Sequence, residues 1–113
     1  MEFGILKVML IHVELWTWLG EKMGGAFESP SEMRSVAALE VEEGLTVVNL
    51  FEGLAARYPL LAQKVFRRES RNFFPGLNVI ITRQGQLVSP FNIESTRLED
   101  GDKITVLPLY VGG

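Results

Sequence analysis

The sequence predicts an α+β domain, a mixed sheet of about four to five strands with one main helix packed across one face. Three observations carry that expectation. Only one segment, Thr46 to Tyr58, has a clean helical period; apolar, β-branched runs lie on both sides of it; and no repeat or low-complexity stretch interrupts the order. At 113 residues the chain is expected to be one domain. A domain of that size hides about two-thirds of its unfolded surface, enough for one hydrophobic core.

The first element is an apolar run from Phe3 to Leu19, broken only by Gly4, Lys7, His12, Glu14 and Thr17. It reads as a long strand buried on both faces. A membrane span is excluded by length and by the ionisable residues at its middle, each costing a few kcal/mol at bilayer depth. A signal peptide is not expected, since Glu2 sits where a positive n-region belongs and no small-residue cleavage site follows. A cytoplasmic protein is expected. Gly20 to Arg34 follows as a long loop with Gly20, Gly24, Gly25, Ser29, Pro30 and Ser31, and no Gly-Lys-Ser/Thr follows to make it a phosphate cradle. Ser35 to Glu43 alternates apolar and polar residues as a second strand, hairpin-paired with the first.

The helix begins at Thr46, a suitable N-cap, and aligns Val47, Leu50, Phe51, Leu54 and Tyr58 on one stripe before Pro59 stops it. Leu60 to Arg68 offers one or two further helical turns. Lys64, Arg67, Arg68 and Arg71 form the chain's basic cluster, either a plain solvated face or a dock for an acidic partner. Leu77 to Thr82 and Leu87-Val88 make a hairpin around Arg83-Gln84-Gly85-Gln86. Phe91 to Arg97 is irregular, and Leu98-Glu99-Asp100-Gly101-Asp102 turns into a last strand, Lys103 to Leu107, closed by Pro108. A right-handed crossover through the helix places the first and last strands side by side and parallel at the sheet centre.

Composition removes much chemistry. There is no cysteine, so disulfides, thiolate metal sites, iron–sulfur clusters and cysteine nucleophiles are excluded, and the single histidine is too few for most catalytic metal centres. His12 lies inside a strand and is read as structural, with no base–nucleophile pair beside it. Eleven Lys and Arg against fourteen Asp and Glu give a net charge of −3, the wrong sign for a nucleic-acid binder.

After the last strand come Pro108-Leu109-Tyr110-Val111-Gly112-Gly113. With 11 glycines in 113 residues, a terminal glycine pair arises by chance in about one chain in a hundred. Joined to the strand order, the opening strand, the segment Val41 through Pro59, the Leu98–Asp102 turn and Gly112-Gly113, the chain resembles the ubiquitin-like sulfur carriers of the ThiS and MoaD type. The resemblance implies the β-grasp fold, with residues 1–108 as the domain and 109–113 as a flexible tail. Within the family, the helix ending in Arg57-Tyr58-Pro59 looks most like MoaD, the small subunit of molybdopterin synthase. The Gly20–Arg34 loop is longer than usual in the family, Gln84-Gly85 replaces the common Asn-Gly, and Tyr110-Val111 replaces small residues.

The resemblance implies that the chain is a co-substrate and not an enzyme, with no cofactor of its own. An ATP-dependent partner of the ubiquitin-activating type would adenylate the Gly113 carboxylate, and a sulfur donor protein carrying a persulfide would displace AMP. The resulting thiocarboxylate would give up its sulfur on the molybdopterin synthase large subunit. An ionised carboxylate is a poor electrophile, which is why activation is needed. Gly112 and Gly113, lacking Cβ, suit passage through a narrow channel. Pro108, Leu109, Tyr110, Val111 and Gly112 would lie against the partner. The alternatives are a protein modifier conjugated through Gly113, or a sulfur carrier for thiamin thiazole or tRNA thiolation; no nucleic acid or membrane is an expected partner.

Ordering six tail residues costs about 5–10 kcal/mol. Burying Leu109, Tyr110 and Val111 returns about 1.5–3 kcal/mol each. The near cancellation calls for a second docking surface, expected on the sheet face opposite the helix with aromatics such as Phe73, Phe74 or Phe91 contributing.

Overall fold

The computed structural model describes residues 7–19, 23–88 and 92–109. Seven strands and two helices occur among them: β1 (Val8–Leu15), β2 (Ser35–Glu42), α1 (Val47–Arg57), α2 (Pro59–Lys64), β3 (Phe66–Arg67), β4 (Asn72–Phe73), β5 (Leu77–Arg83), β6 (Gln86–Val88) and β7 (Lys103–Pro108). The main sheet has five strands in the order β2-β1-β7-β5-β6. β1 and β2 are antiparallel, β1 and β7 are parallel, and β5 is antiparallel to both β7 and β6. The first and last strands therefore meet side by side and parallel in the sheet, as expected, and the fold is the β-grasp.

The core follows from two periods meeting. Met9, Ile11, Val13 and Leu15 alternate onto one face of β1, beside Ile104 and Val106 of β7 and Ile81 of β5. Against them α1 lays Val47, Leu50, Phe51, Leu54 and Ala55. Thr46 caps α1 through a reciprocal box with Asn49: the Asn49 N–H donates to Thr46 Oγ1 at 3.2 Å and the Thr46 N–H to Asn49 Oδ1 at 3.4 Å. Tyr58, ahead of a proline, turns extended at φ −119° and ψ 100°, which ends α1, and Pro59 opens α2 at its first turn.

Three departures from the sequence expectation have local causes. β1 is not buried on both faces: Val8, Leu10 and His12 point away from α1 and are exposed, because the only main helix covers the other side. It also ends at Leu15 rather than at Leu19, after the Trp16 N–H makes a last bond to Val106 O at 2.8 Å; Phe3 to Leu6 of the expected strand lie outside the described residues. Beyond α2 the chain forms a two-stranded sheet, β3–β4, where helix was expected to continue to Arg68. There Phe66 and Phe73 lie 5.1 Å apart and both pack on Phe51, so aromatic packing overrides the helical tendency.

The Leu98–Asp102 turn is fastened from two sides. The fully buried Asp102 accepts from Arg83 Nε and Nη2, both at 2.9 Å, and from the Glu99 N–H at 2.8 Å. The Gly101 N–H donates to Leu10 O, and the Leu10 N–H to Asp100 Oδ1. Arg83 sits at the mouth of the β5–β6 hairpin, where Gln84 and Gly85 take the positive φ values, 52° and 77°, of a tight two-residue turn. The ion pair thus ties the hairpin to the entry of β7, and β7 delivers the tail.

Candidate functional site

β7 runs to Pro108, paired with Leu77 of β5. One residue later the Leu109 N–H donates to Gly76 O at 2.8 Å while the Leu109 side chain stays 56% exposed. Pro108 and Leu109 are therefore placed at the sheet's end, with Leu109 open to solvent. Tyr110, Val111, Gly112 and Gly113, the rest of the expected site, lie outside the described residues.

Beside this root, on the sheet face opposite α1, is an apolar groove of about 340 Å³ lined by Trp16, Trp18, Met33, Thr105, Leu107 and Pro108. Trp18 is 57% exposed and Met33 37%. Trp18 also has a φ of 56°, a left-handed conformation that costs a bulky L-residue about 1–2 kcal/mol. Its N–H donates to Met33 O at 3.2 Å, which fixes the two side chains' backbones to each other. A strained backbone that holds a large aromatic in solvent next to the tail is the arrangement expected of a docking surface.

The apolar groove lies on the face where a docking surface was expected, but the aromatics that line it are not the expected ones. Phe73 belongs to the cluster with Phe51 and Phe66, Phe74 is half-buried beneath Arg67, whose guanidinium carbon lies 4.8 Å from the ring centre, and Phe91 is outside the described residues. Trp16 and Trp18 take their place. Two tryptophans spaced by two residues at the end of a strand-like run lie on one face of that run, and this spacing was the available signal.

The long loop builds the groove's outer wall because it is anchored at both ends of its described part. Met23 and Phe27 are buried in the core, and the Phe27 ring meets Tyr58 edge-on at 5.1 Å. Tyr58 Oη accepts from the Ala26 N–H at 3.0 Å, and Glu28 exchanges two 2.8 Å backbone bonds with Val36. At the far end Arg34 donates to Glu14 Oε1 at 2.7 Å and lies over the Trp16 ring at 5.4 Å. Lys103 Nζ is 3.0 Å from the other Glu14 oxygen. Burial by itself pushes the Glu14 carboxyl up, but the hydrogen bonds and charges of Arg34 and Lys103 outweigh it and hold the group below the usual glutamate range.

His12 stands on β1 with an exposed side chain, lining a polar concavity of about 540 Å³ with Glu14, Arg34 and Lys103. Those charges pair with one another. Among the described residues no group of three or more His, Asp or Glu side chains is placed to hold a metal ion, and no helix is long and apolar enough to cross a membrane.

The ThiS family model matches residues 25–113. Among solved structures, the chain is similar to the Haloferax volcanii HVO 2177 protein in solution (22% identity, TM-score 0.64, covering 100% of this chain and 94% of that one). It is likewise similar to the small archaeal modifier protein 1 of Methanosarcina acetivorans (22% identity, TM-score 0.60, 95% and 99%) and to that of Haloferax volcanii (20% identity, TM-score 0.57, 92% and 99%). These likenesses establish the fold. No curated protein matches the chain.

Proposed function

Because the chain belongs to the ThiS family, we propose that it is a sulfur carrier whose Gly113 carboxylate is adenylated and converted to a thiocarboxylate, with molybdopterin synthesis as its pathway. The observation that supports this most is that the family match extends through Gly112-Gly113. In the first step a Gly113 carboxylate oxygen attacks the α-phosphorus of ATP and pyrophosphate leaves. A persulfide sulfur on the donor protein then attacks the acyl carbon and AMP leaves. The product is an acyl disulfide, so a second thiol must cleave its S–S bond to free the thiocarboxylate.

In this scheme the chain supplies no catalytic group; it is the co-substrate, working in the cytoplasm. Leu109 through Gly112 thread into the partner, and the Trp16–Trp18–Met33 groove takes up an apolar projection of the same partner. The groove supplies the binding energy that the tail, by the near balance of ordering and burial, does not. The MoaD-like ending Arg57-Tyr58-Pro59 supports molybdopterin as the destination. The large subunit of molybdopterin synthase is then the acceptor that consumes the sulfur.

The names of the two small archaeal modifier proteins favour a second reading, conjugation of Gly113 to lysines of other proteins. A reconstitution with ATP, the host's activating enzyme and a persulfide donor separates the two. Sulfur carriage gives a free chain heavier by the sulfur–oxygen mass difference; tagging gives a ladder of conjugates. Replacing Gly112 by Ala, or adding one residue after Gly113, is expected to abolish loading in both.

A further inference from the structure

We infer that the corner formed by α2, β3 and β4 is an electrostatic dock for an acidic surface of the activating partner, placed beside the root of the tail. The inference rests on the sulfur-carrier reading and adds to it a second contact of opposite chemistry to the apolar groove. In a chain of net charge −3, this corner gathers Arg57, Lys64, Arg67, Arg68 and Arg71 against Glu52 and Glu69. Glu52 is engaged by Arg71, and Arg57 and Arg67 lie over Tyr58 and Phe74. Lys64 and Arg68 are exposed and have no ion-pair partner among the described residues. Arg67, Arg68, Glu69 and Ser70 with Ala62 line a concavity of about 460 Å³, open for a carboxylate-bearing loop.

Position gives the charge its meaning. The Phe74 N–H donates to Val65 O, and two residues on, Gly76 O accepts from Leu109. The cations therefore stand at the end of the molecule from which the tail leaves, and the four residues from Tyr110 to Gly113 span at most about 14 Å. At the opposite end Glu42, Glu43, Glu99, Asp100 and Asp102 outnumber Lys7, Arg83 and Arg97. A partner with an acidic surface near its tail channel is attracted to the correct end and repelled from the wrong one, which orients the encounter before the groove closes. The chain's net negative charge and acidic far end disfavour nucleic acid as the occupant.

The test is ATP–pyrophosphate exchange by the host's activating enzyme with wild type, Lys64→Glu/Arg68→Glu and the conservative Lys64→Arg/Arg68→Lys. The reversed variant is expected to raise KM for the carrier by about 10–100-fold at about 50 mM NaCl. That effect should narrow to within about 3-fold at about 500 mM NaCl, with kcat unchanged, because exposed charges are screened by salt. The conservative pair should behave as wild type. A KM within about 3-fold of wild type at low salt, with exchange proceeding normally, overturns the dock alone; absence of exchange with wild type overturns the sulfur-carrier reading and the dock with it. Tight binding of a fluorescent single-stranded RNA by wild type, lost in the reversed variant, overturns it in favour of nucleic acid.

Discussion

Replacing Trp18 by glycine separates docking from folding, because its backbone is strained while the exposed part of its ring is the part proposed to meet the partner. Trp18 holds a φ of 56° and is 57% exposed. Glycine relieves about 1–2 kcal/mol of left-handed strain but loses about 0.5–1 kcal/mol to the freer unfolded chain, so the backbone terms leave about 0.5–1 kcal/mol in its favour. The buried part of the ring amounts to about 100 Å² of a side chain of up to ~250 Å², or about 2 kcal/mol after allowing for a compact unfolded state. The fold should therefore weaken by about 1–2 kcal/mol and remain populated at 25 °C, given typical stabilities of about 5–15 kcal/mol. The exposed part, somewhat more than 100 Å², becomes buried only in the complex and carries about 2–3 kcal/mol, or about 30–150-fold in Kd. Calorimetric titration with the activating enzyme reads this directly, and urea unfolding reads the stability. Leu87→Ala is the control, since Leu87 is 70% exposed on β6, two strands removed from the tail; it should stay within about 3-fold. An unchanged Kd for Trp18→Gly, or a loss of stability above about 4 kcal/mol, refutes the assignment of the groove.

Three further outcomes follow from the packing. Asp102→Asn keeps the volume but turns an amide N–H₂ toward an Arg83 donor; with Arg83 still 27% exposed and paired to Glu99, the cost is about 3 kcal/mol, or about 10 °C in Tm by differential scanning calorimetry. Gly25→Ala places a Cβ 2.5 Å from Tyr58 Oη at a φ of 58°, and should destabilise by about 2–4 kcal/mol in urea while Gly24→Ala, with open space around it, costs only the backbone strain. Glu14 has a depressed folded pKa, so its pairing stabilises above the ordinary glutamate range and is lost as pH falls through the folded value. Wild type should exceed Glu14→Gln by about 1 kcal/mol at pH 7, the cations being partly in water, with the difference lost as the pH falls below the ordinary glutamate range and through the depressed folded value.

What the sequence made legible was whatever a short period or a local rule encodes. The Val47-Leu50-Phe51-Leu54 stripe and the Thr46 cap were visible because three- and four-residue spacing is a local property. The parallel β1–β7 pair was visible because crossover handedness leaves few alternatives. Met23 and Phe27 were not, since single apolar residues in a glycine- and serine-rich loop have no period; Phe27 is buried against partners such as Tyr58, more than thirty residues away. β3 and β4, two residues each, are too short to show alternation and exist because Phe66 and Phe73 meet over Phe51. The tail was identified by its glycines, while the groove beside it depended on Met33 arriving from the long loop at a Trp18 whose backbone no propensity favours.

The central claim is that sulfur is carried on Gly113, and intact-mass spectrometry of the chain isolated from its own host tests it most directly. The expected result is a chain ending at Gly113, part of it heavier by the sulfur–oxygen difference, with the heavier species absent when the activating enzyme is deleted or Gly112 is replaced by Ala. A chain that continues beyond Gly113, or one that stays wholly a carboxylate while its activating enzyme and sulfur donor are active, contradicts it.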